Sequence, residues 1–376
     1  MRIVVLGAGA MGSAAAHLLA RHRDVDLGVV DVDRGRADAV VQAVGRGEAR
    51  PLGPGATGDA LRGADAVASC VPYRLNLEVM DAALEAGCHY ADLGGLYHMT
   101  LRQLELDARF REAGLAAIAG IGCCPGLSNV LARLAADRLD TVESIDILDG
   151  AVEEDGHFGV PYSADTIIDE FTAPAMVFEE GRLREVPAGS GSARWRFPDP
   201  IGEMEAVYTL HSEIATLPRT IEGVRDVRWR LALPPAIADG FRLLVDLGLT
   251  GEEPVDTPSG PVVPRDVLGA LLARVPAPGG PPRDTEVLVV QARGTLGGRP
   301  ATFTAEARYE PQPEGISGGA FGTAIPIAVA SRWMAEGRVA AGVHPPETAL
   351  GAEDFVAELA REGVRITTRL EEELRT

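Results

Sequence analysis

The chain opens on a strand-like run, Ile3-Val4-Val5-Leu6, that breaks at once into Gly7-Ala8-Gly9-Ala10-Met11-Gly12 and continues without a charged residue to Ala20. This is G-x-G-x-x-G placed directly after a strand and directly before a helix, the context that gives the pattern its meaning. Gly7 permits a tight turn, Gly9 lets backbone approach a pyrophosphate, and Gly12 lets the helix lie close to the strand. The first helical turn, with Ala10 and Met11, offers unpaired N–H groups and the positive end of the helix dipole. The motif commits the start of the chain to a Rossmann-type, doubly wound parallel α/β sheet with a dinucleotide at its edge.

Asp31 ends the second predicted strand, at the ~20-residue spacing after the glycines where a carboxylate meets the adenine ribose hydroxyls. That points to NAD over NADP, because the carboxylate would repel a 2′-phosphate. Arg34 and Arg36 lie close enough to soften the inference, and Asp31 could alternatively cap a turn or helix.

The stretch from Ile3 to Ala20 is superficially long enough for a membrane span, but its glycines stand at cofactor spacing and ordinary α/β sequence follows. No targeting segment is read, and a cytoplasmic location is expected. The formal net charge of -20 would repel phosphate backbones and anionic lipid, so nucleic acid and membrane surfaces are not expected partners. A cationic small substrate would be tolerated or steered. All 35 basic residues are arginine, so Schiff-base lysine chemistry, pyridoxal-phosphate catalysis and a P-loop lysine are excluded. The four cysteines, Cys70, Cys88, Cys123 and Cys124, follow neither a disulfide framework nor a paired CxxC pattern, and the His and Cys spacings give no convincing three-ligand metal set.

At 376 residues the chain should hold about two domains. In the first half, strands are predicted at Ile3–Leu6, Leu27–Val30, Ala66–Val71, His89–Ala91 and Ala116–Ala119. Helices are predicted near Ala10–Arg21, Ala60–Arg62, Leu75–Ala86 and Leu101–Ala113. After Gly120 longer strand-like stretches appear at Ser144–Leu148, Val227–Leu233, Thr285–Gly294 and Ala301–Tyr309, as in an α+β domain with a mostly antiparallel sheet. Pro- and Gly-rich segments at Val186–Ala193, Pro254–Pro264 and Val275–Arg283 read as loops. The expected division is a dinucleotide-binding domain at 1–125, a substrate-binding and dimerisation domain at 126–318, and a segment at 319–376 whose helix, near Thr323–Gly337, returns to the first domain.

Ligands gather at the carboxyl ends of strands in such sheets. Cys70-Val71-Pro72-Tyr73 should therefore lie beside the nicotinamide half, with Tyr73 donating a hydrogen bond, relaying a proton, or packing at the domain seam. Asp92, in Ala91-Asp92-Leu93-Gly94-Gly95, sits at another strand end, where Gly94 and Gly95 permit close cofactor approach.

The run Gly120-Ile121-Gly122-Cys123-Cys124-Pro125-Gly126-Leu127-Ser128-Asn129 resembles the G-x-x-P-G-x-x-N turn of the saccharopine dehydrogenase-like superfamily, in the branch that includes L-lysine 6-dehydrogenases. The resemblance continues through Pro161–Ala175, His211–Pro218, Gly322–Ala330 and Gly342–Glu347, nearly the whole chain. It implies NAD-dependent oxidative deamination of an amine-bearing carbon, L-lysine going to the 6-semialdehyde and its cyclic imine, by a homodimer joined through the second domain. Gly7, Gly9 and Gly12 match the family's cofactor loop, Tyr73 its P-Y turn and Asn129 its turn helix. Cys123-Cys124 stands where acidic residues are usual before the proline, which bears on the substrate.

Hydride leaves an amine carbon only when the amine is neutral, and water must then attack the iminium, so one group must act as base and then as acid. Asp92, His211, Glu213 or a Cys124 thiolate could serve, with His98 a weaker candidate. His211 is favoured by an ordinary pKa near neutral pH, although a lone histidine can equally be structural. Tyr73, Asp92 and His211 are thus the catalytic candidates, and Cys124, Asn129, Ser212, Glu213 and Thr216 the substrate side. Gly7, Gly9, Ala10, Met11, Gly12, Asp31, Cys70, Val71, Pro72 and Gly94 form the cofactor side. The alternatives are a reductase forming a secondary amine of the saccharopine or carboxynorspermidine type, and a regulatory protein that binds NAD without turnover.

Overall fold

A computed structural model describes residues 1–153, 163–272, 274–275 and 280–372. Pro161 and Tyr162, and much of the predicted loop at 275–283, lie outside the described residues.

Seven parallel strands form the first sheet, in the order Gly342–His344, Ala116–Ile118, His89–Asp92, Ala66–Ser69, Arg2–Leu6, Asp26–Asp31, Glu48–Pro51. Both faces are covered, which explains the unbroken apolar run at the start of the chain. Ile3, Val5, Leu27, Val29 and Ala68 point into one core, while Val4, Leu6, Val30, Val67 and Tyr90 point into the other. The strand order reverses beside Arg2–Leu6, so the loops after Leu6 and after Ser69 emerge side by side at the topological switch point.

Several elements differ from the sequence reading. A helix at Arg34–Val44, capped by Asp33, and a strand at Glu48–Pro51 were not predicted; both are short on apolar periodicity because one flank faces solvent. The single helix predicted over Leu101–Ala113 is two, Leu96–Leu104 and Asp107–Ala113. The loop at Pro254–Pro264 carries a small hairpin, Val255–Thr257 with Gly260–Val262.

The second sheet is mixed, in the order Arg365–Glu372, Arg299–Tyr309, Asp284–Leu296, Thr141–Glu153, Asp226–Ala232, Ala175–Glu179, Arg182–Val186. Thr141–Glu153 and Asp226–Ala232 run parallel, and every other neighbouring pair is antiparallel. One face, with Ile145, Ile147, Leu288 and Val290, joins the main core, and the other is closed by Phe197 over Leu148, Val287 and Val289. A Cβ on Gly150 would sit 2.8 Å from the Phe197 ring, so only glycine fits there.

The helix Gly318–Ala335 is apolar all round because it is buried all round, between the Ala10–Ala20 helix and first sheet on one side and the strands Asp284–Leu296 and Arg299–Tyr309 on the other. The segment after 318 is therefore shared. Its helix and the strand Gly342–His344 serve the first sheet, but Arg365–Glu372 extends the edge of the second. Among the described residues, no helix is long and apolar enough to cross a membrane.

Candidate functional site

The glycine-rich loop has the geometry its spacing implies. Gly7 adopts φ +98°, and a Cβ there would meet the Cys70 carbonyl oxygen at 2.9 Å; one on Gly12 would collide with the Gly7 carbonyl oxygen at 1.7 Å. A Cβ on Gly9 would meet nothing within 4 Å. It opens onto a shallow depression of about 380 Å³, lined by Ala8, Gly9, Ala10, Ser13, Arg36, Ala39 and Val40. The helix at Ala10–Ala20 has no side-chain cap, leaving the N–H groups of Ala10 and Met11 for an anion. Asp31 closes the cradle: its Oδ2 accepts from the Ala8 N–H at 2.6 Å and its Oδ1 from the Asp33 N–H at 2.8 Å. Each oxygen keeps a lone pair, so the loop-bracing role and a ribose contact are compatible. These residues fit a dinucleotide.

Cys70 and Val71 lie against Gly7, and Pro72 introduces a single 3-10 turn, Tyr73–Leu75. The Tyr73 hydroxyl donates to Asp169 Oδ2 at 2.6 Å, and Arg265 and Arg74 donate to the same carboxylate at 2.6 and 2.9 Å. Burial and the Asp169 carboxylate push the Tyr73 phenol up to about 12. Tyr73 thus fastens the first domain to the helix Ala164–Thr172, and in this arrangement its proton is held by Asp169.

Asp92 is fully buried, and both its oxygens are filled, by Tyr90, Gln103 and the N–H groups of Gly94 and Gly120. These four donors tie the loops after the strands His89–Asp92 and Ala116–Ile118 together, while burial raises the Asp92 pKa. Gly94 and Gly120 hold Pro125 between them, and a Cβ on either would approach its Cγ to 2.8 Å. The Cys124–Pro125 peptide is cis, and Gly126, at φ +132°, begins the helix Leu127–Arg138.

That helix delivers Ser128 and Asn129 into a buried network. Asn129 Nδ2 donates to Thr216 Oγ1 at 3.2 Å and to Glu347 Oε2 at 2.9 Å, while its Oδ1 accepts from the Gly126 N–H at 3.1 Å. Ser128 Oγ donates to Glu213 Oε1 at 2.7 Å, and the other Glu213 oxygen is hydrogen-bonded to His211 Nδ1. The His211 ring stacks on Trp229 with centroids 4.0 Å apart. Burial lowers the His211 pKa, but the Glu213 carboxylate outweighs it and the net shift is upward. Ser212 Oγ is buried without a hydrogen-bond partner among the described residues, a donor available to a ligand. His98 stands apart, exposed and edge-on to Tyr97.

An acidic group not anticipated from sequence adjoins this network. Burial, then the charges of Glu286, Glu213 and Glu170, hold the Asp149 carboxyl well above the usual carboxylate range; burial and Asp284 push Glu286 up to about 7. Cys124 faces the same group. Burial, Cys123 and nearby carboxylates keep it a thiol, so the thiolate base weighed from sequence is not available there. The other missed residues are Glu347, which ends the recognised Gly342–Glu347 segment, and Asp169 and Glu170, which lie inside Pro161–Ala175. Asp149 and Glu286 left one signal, a carboxylate interrupting the apolar face of a strand.

A Rossmann sheet with a fitted dinucleotide cradle, apposed to a second sheet that supplies a buried acid–base network, defines a two-domain nicotinamide-dependent oxidoreductase. Residues 3–118 match the saccharopine dehydrogenase NADP binding domain and residues 122–364 the saccharopine dehydrogenase C-terminal domain, and the chain belongs to the saccharopine dehydrogenase family. It is 25% identical over 288 residues to carboxyaminopropylagmatine dehydrogenase of a Synechocystis species, covering 72% of each chain. It is likewise 25% identical over 303 residues to carboxynorspermidine synthase of Vibrio alginolyticus, again covering 72% of each. The apo saccharopine dehydrogenase (L-Glu forming) of Saccharomyces cerevisiae shares the fold, with TM-score 0.77, 17% identity and coverage of 98% and 99% of the two chains.

Proposed function

We propose that this protein reduces the carbon–nitrogen double bond formed between a carbonyl compound and a cationic amine, giving a secondary amine. The observation that carries the reading is the cluster Asp149, Glu170, Glu213 and Glu286 around Cys124 and His211. Burial and the charges of Glu286, Glu213 and Glu170 raise the Asp149 carboxyl, and an arriving ammonium group relieves that crowding of negative charge. The relatives at 25% identity, whose names denote a carboxylated polyamine and a carboxyaminopropyl amine, support the same direction. When bound, the nicotinamide supplies the hydride. On this reading His211, whose pKa the Glu213 carboxylate raises, gives a proton to the substrate nitrogen, and Trp229 and Ser128 hold the pair in orientation.

NAD is the proposed cofactor, on the position of Asp31; Arg36, which lines the depression with Gly9, is the residue a 2′-phosphate would meet. Oxidative deamination of L-lysine is the second reading, the same hydride chemistry on an unsubstituted amine, favoured by the resemblance at Pro161–Ala175 and His211–Pro218. The test offers NADH with diamines and an aldehyde or 2-oxo acid, and separately NAD with L-lysine, following cofactor absorbance. Consumption of NADH that requires both amine and carbonyl supports the first reading. NADH production from lysine alone replaces it with the second, and cofactor binding without turnover overturns both.

A further inference from the structure

We propose that Cys123, Cys124 and Asp149 form a site for a thiophilic divalent cation of the zinc class, at the junction of the two domains. Sequence spacing hides it, because the two thiols come from the turn before the Leu127–Arg138 helix and the carboxylate from the strand Thr141–Glu153 of the second sheet. The two Sγ atoms are 3.7 Å apart. Thiolates at ~2.3 Å from a tetrahedral zinc stand about 3.8 Å from each other, so the sulfurs already span one edge of the coordination tetrahedron. All three ligand atoms, one from each residue, lie within 4.8 Å of one another. Closing the carboxylate onto the ion requires a shift of about 1 Å, within the reach of a side-chain rotation.

Independent features fit a ligand. Asp149 Oδ1 is buried with no hydrogen-bond partner among the described residues, whereas buried carboxylate oxygens are ordinarily paired. The outer shell is also built. Cys123 Sγ donates to the Tyr309 hydroxyl at 3.5 Å, and once the sulfur is a metal-bound thiolate that hydroxyl can turn and donate back. Tyr309 is held in place by Gly322, where a Cβ would come within 2.8 Å of its ring, and the cysteines by Pro125 between Gly94 and Gly120. Cys124 and Asp149 are only partly buried, which gives an ion a way in. Binding displaces the two thiol protons to solvent and leaves a fourth position for water, the arrangement of an open rather than a closed structural site.

The site is tested by adding Co²⁺ to the reduced, full-length protein without chelator and recording the absorption spectrum, which does not depend on any activity or on the proposed substrate. The expected result is one Co²⁺ per chain with a thiolate-to-cobalt charge-transfer band and intense tetrahedral ligand-field bands, bleached by one equivalent of Zn²⁺. Cys123→Ser and Cys124→Ser should each weaken the charge-transfer band, Asp149→Asn should weaken Co²⁺ binding by tenfold or more, and Cys88→Ser, in the other core, should leave the spectrum unchanged. Absence of a charge-transfer band in the wild-type protein overturns the proposal whatever the variants do, and so does a band that survives in both single serine variants at full strength.

Discussion

Tyr73 and Asp169, 96 residues apart in the chain, share a 2.6 Å hydrogen bond that ties the loop beside the glycine-rich turn to the helix Ala164–Thr172 of the second domain. The same carboxylate holds Arg74 and Arg265, so one acid gathers a phenol and two guanidiniums at the seam.

Removing that acid should loosen the seam. Burial raises the Asp169 pKa, but Arg265, Tyr73 and Arg74 together outweigh it and the net shift is downward. A carboxyl with a depressed folded pKa contributes stability that is present above its unfolded pKa and lost as pH falls through the folded one. Asp169→Asn should therefore cost on the order of 2 kcal/mol at neutral pH, and the difference from wild type should shrink on acidification below the ordinary carboxylate range. Denaturant titrations across that range check it; a penalty independent of pH would separate Asp169 from the seam's charge balance.

The glycines of the cofactor loop should fail in different ways. Gly12→Ala forces a Cβ against the Gly7 carbonyl oxygen and should lower the melting temperature. Gly9→Val meets open space, so it should leave the melt near wild type while abolishing measurable NAD binding by filling the pyrophosphate approach. Calorimetric titration of NAD beside a thermal melt distinguishes the two.

Asp31 braces the loop through the Ala8 and Asp33 N–H groups and is the proposed partner of the adenine ribose. Asp31→Ala should weaken NAD by on the order of 10- to 100-fold, as expected for losing hydrogen bonds to a charged acceptor, and should narrow the preference over NADP. Wild-type protein that uses NADP more efficiently than NAD would assign Arg36 as the phosphate ligand instead.

His211 and Glu213 should act as a unit in turnover. His211→Ala should lower kcat by ~10²- to 10⁴-fold while sparing NAD affinity. Because Glu213 raises the His211 pKa, the rate of the amine-forming reaction should fall as pH rises through that pKa, and in Glu213→Gln the fall should begin at lower pH. A pH profile of kcat/KM that is unmoved in Glu213→Gln would take the proton from another group.

The cofactor half was legible in the sequence because its chemistry is local: a strand, three glycines and a helix start lie within a dozen residues, and Asp31 follows at a fixed helical distance. The amphipathic cover was harder to read, and the helix Arg34–Val44 escaped because its charged exposed flank hides the few residues it buries. Turn residues 120–129 and the pair His211 and Glu213 could be picked out as segments, but their partners could not. Asn129 meets Glu347 and Ser128 meets Glu213 only after the chain has packed the helix Leu127–Arg138 against the helices Glu213–Thr220 and Pro346–Ala349. Asp92 shows the reverse, a strand-end carboxylate that sequence offers as one of several bases and that packing surrounds with four donors. Sequence by itself determined the sheet type, the dinucleotide cradle and the exclusion of a catalytic lysine side chain, since each follows from residue type and short spacing. Tertiary structure alone decided which carboxylates meet at the domain junction and which thiols face them, because burial and like-charge proximity are properties of residues brought together from distant parts of the chain.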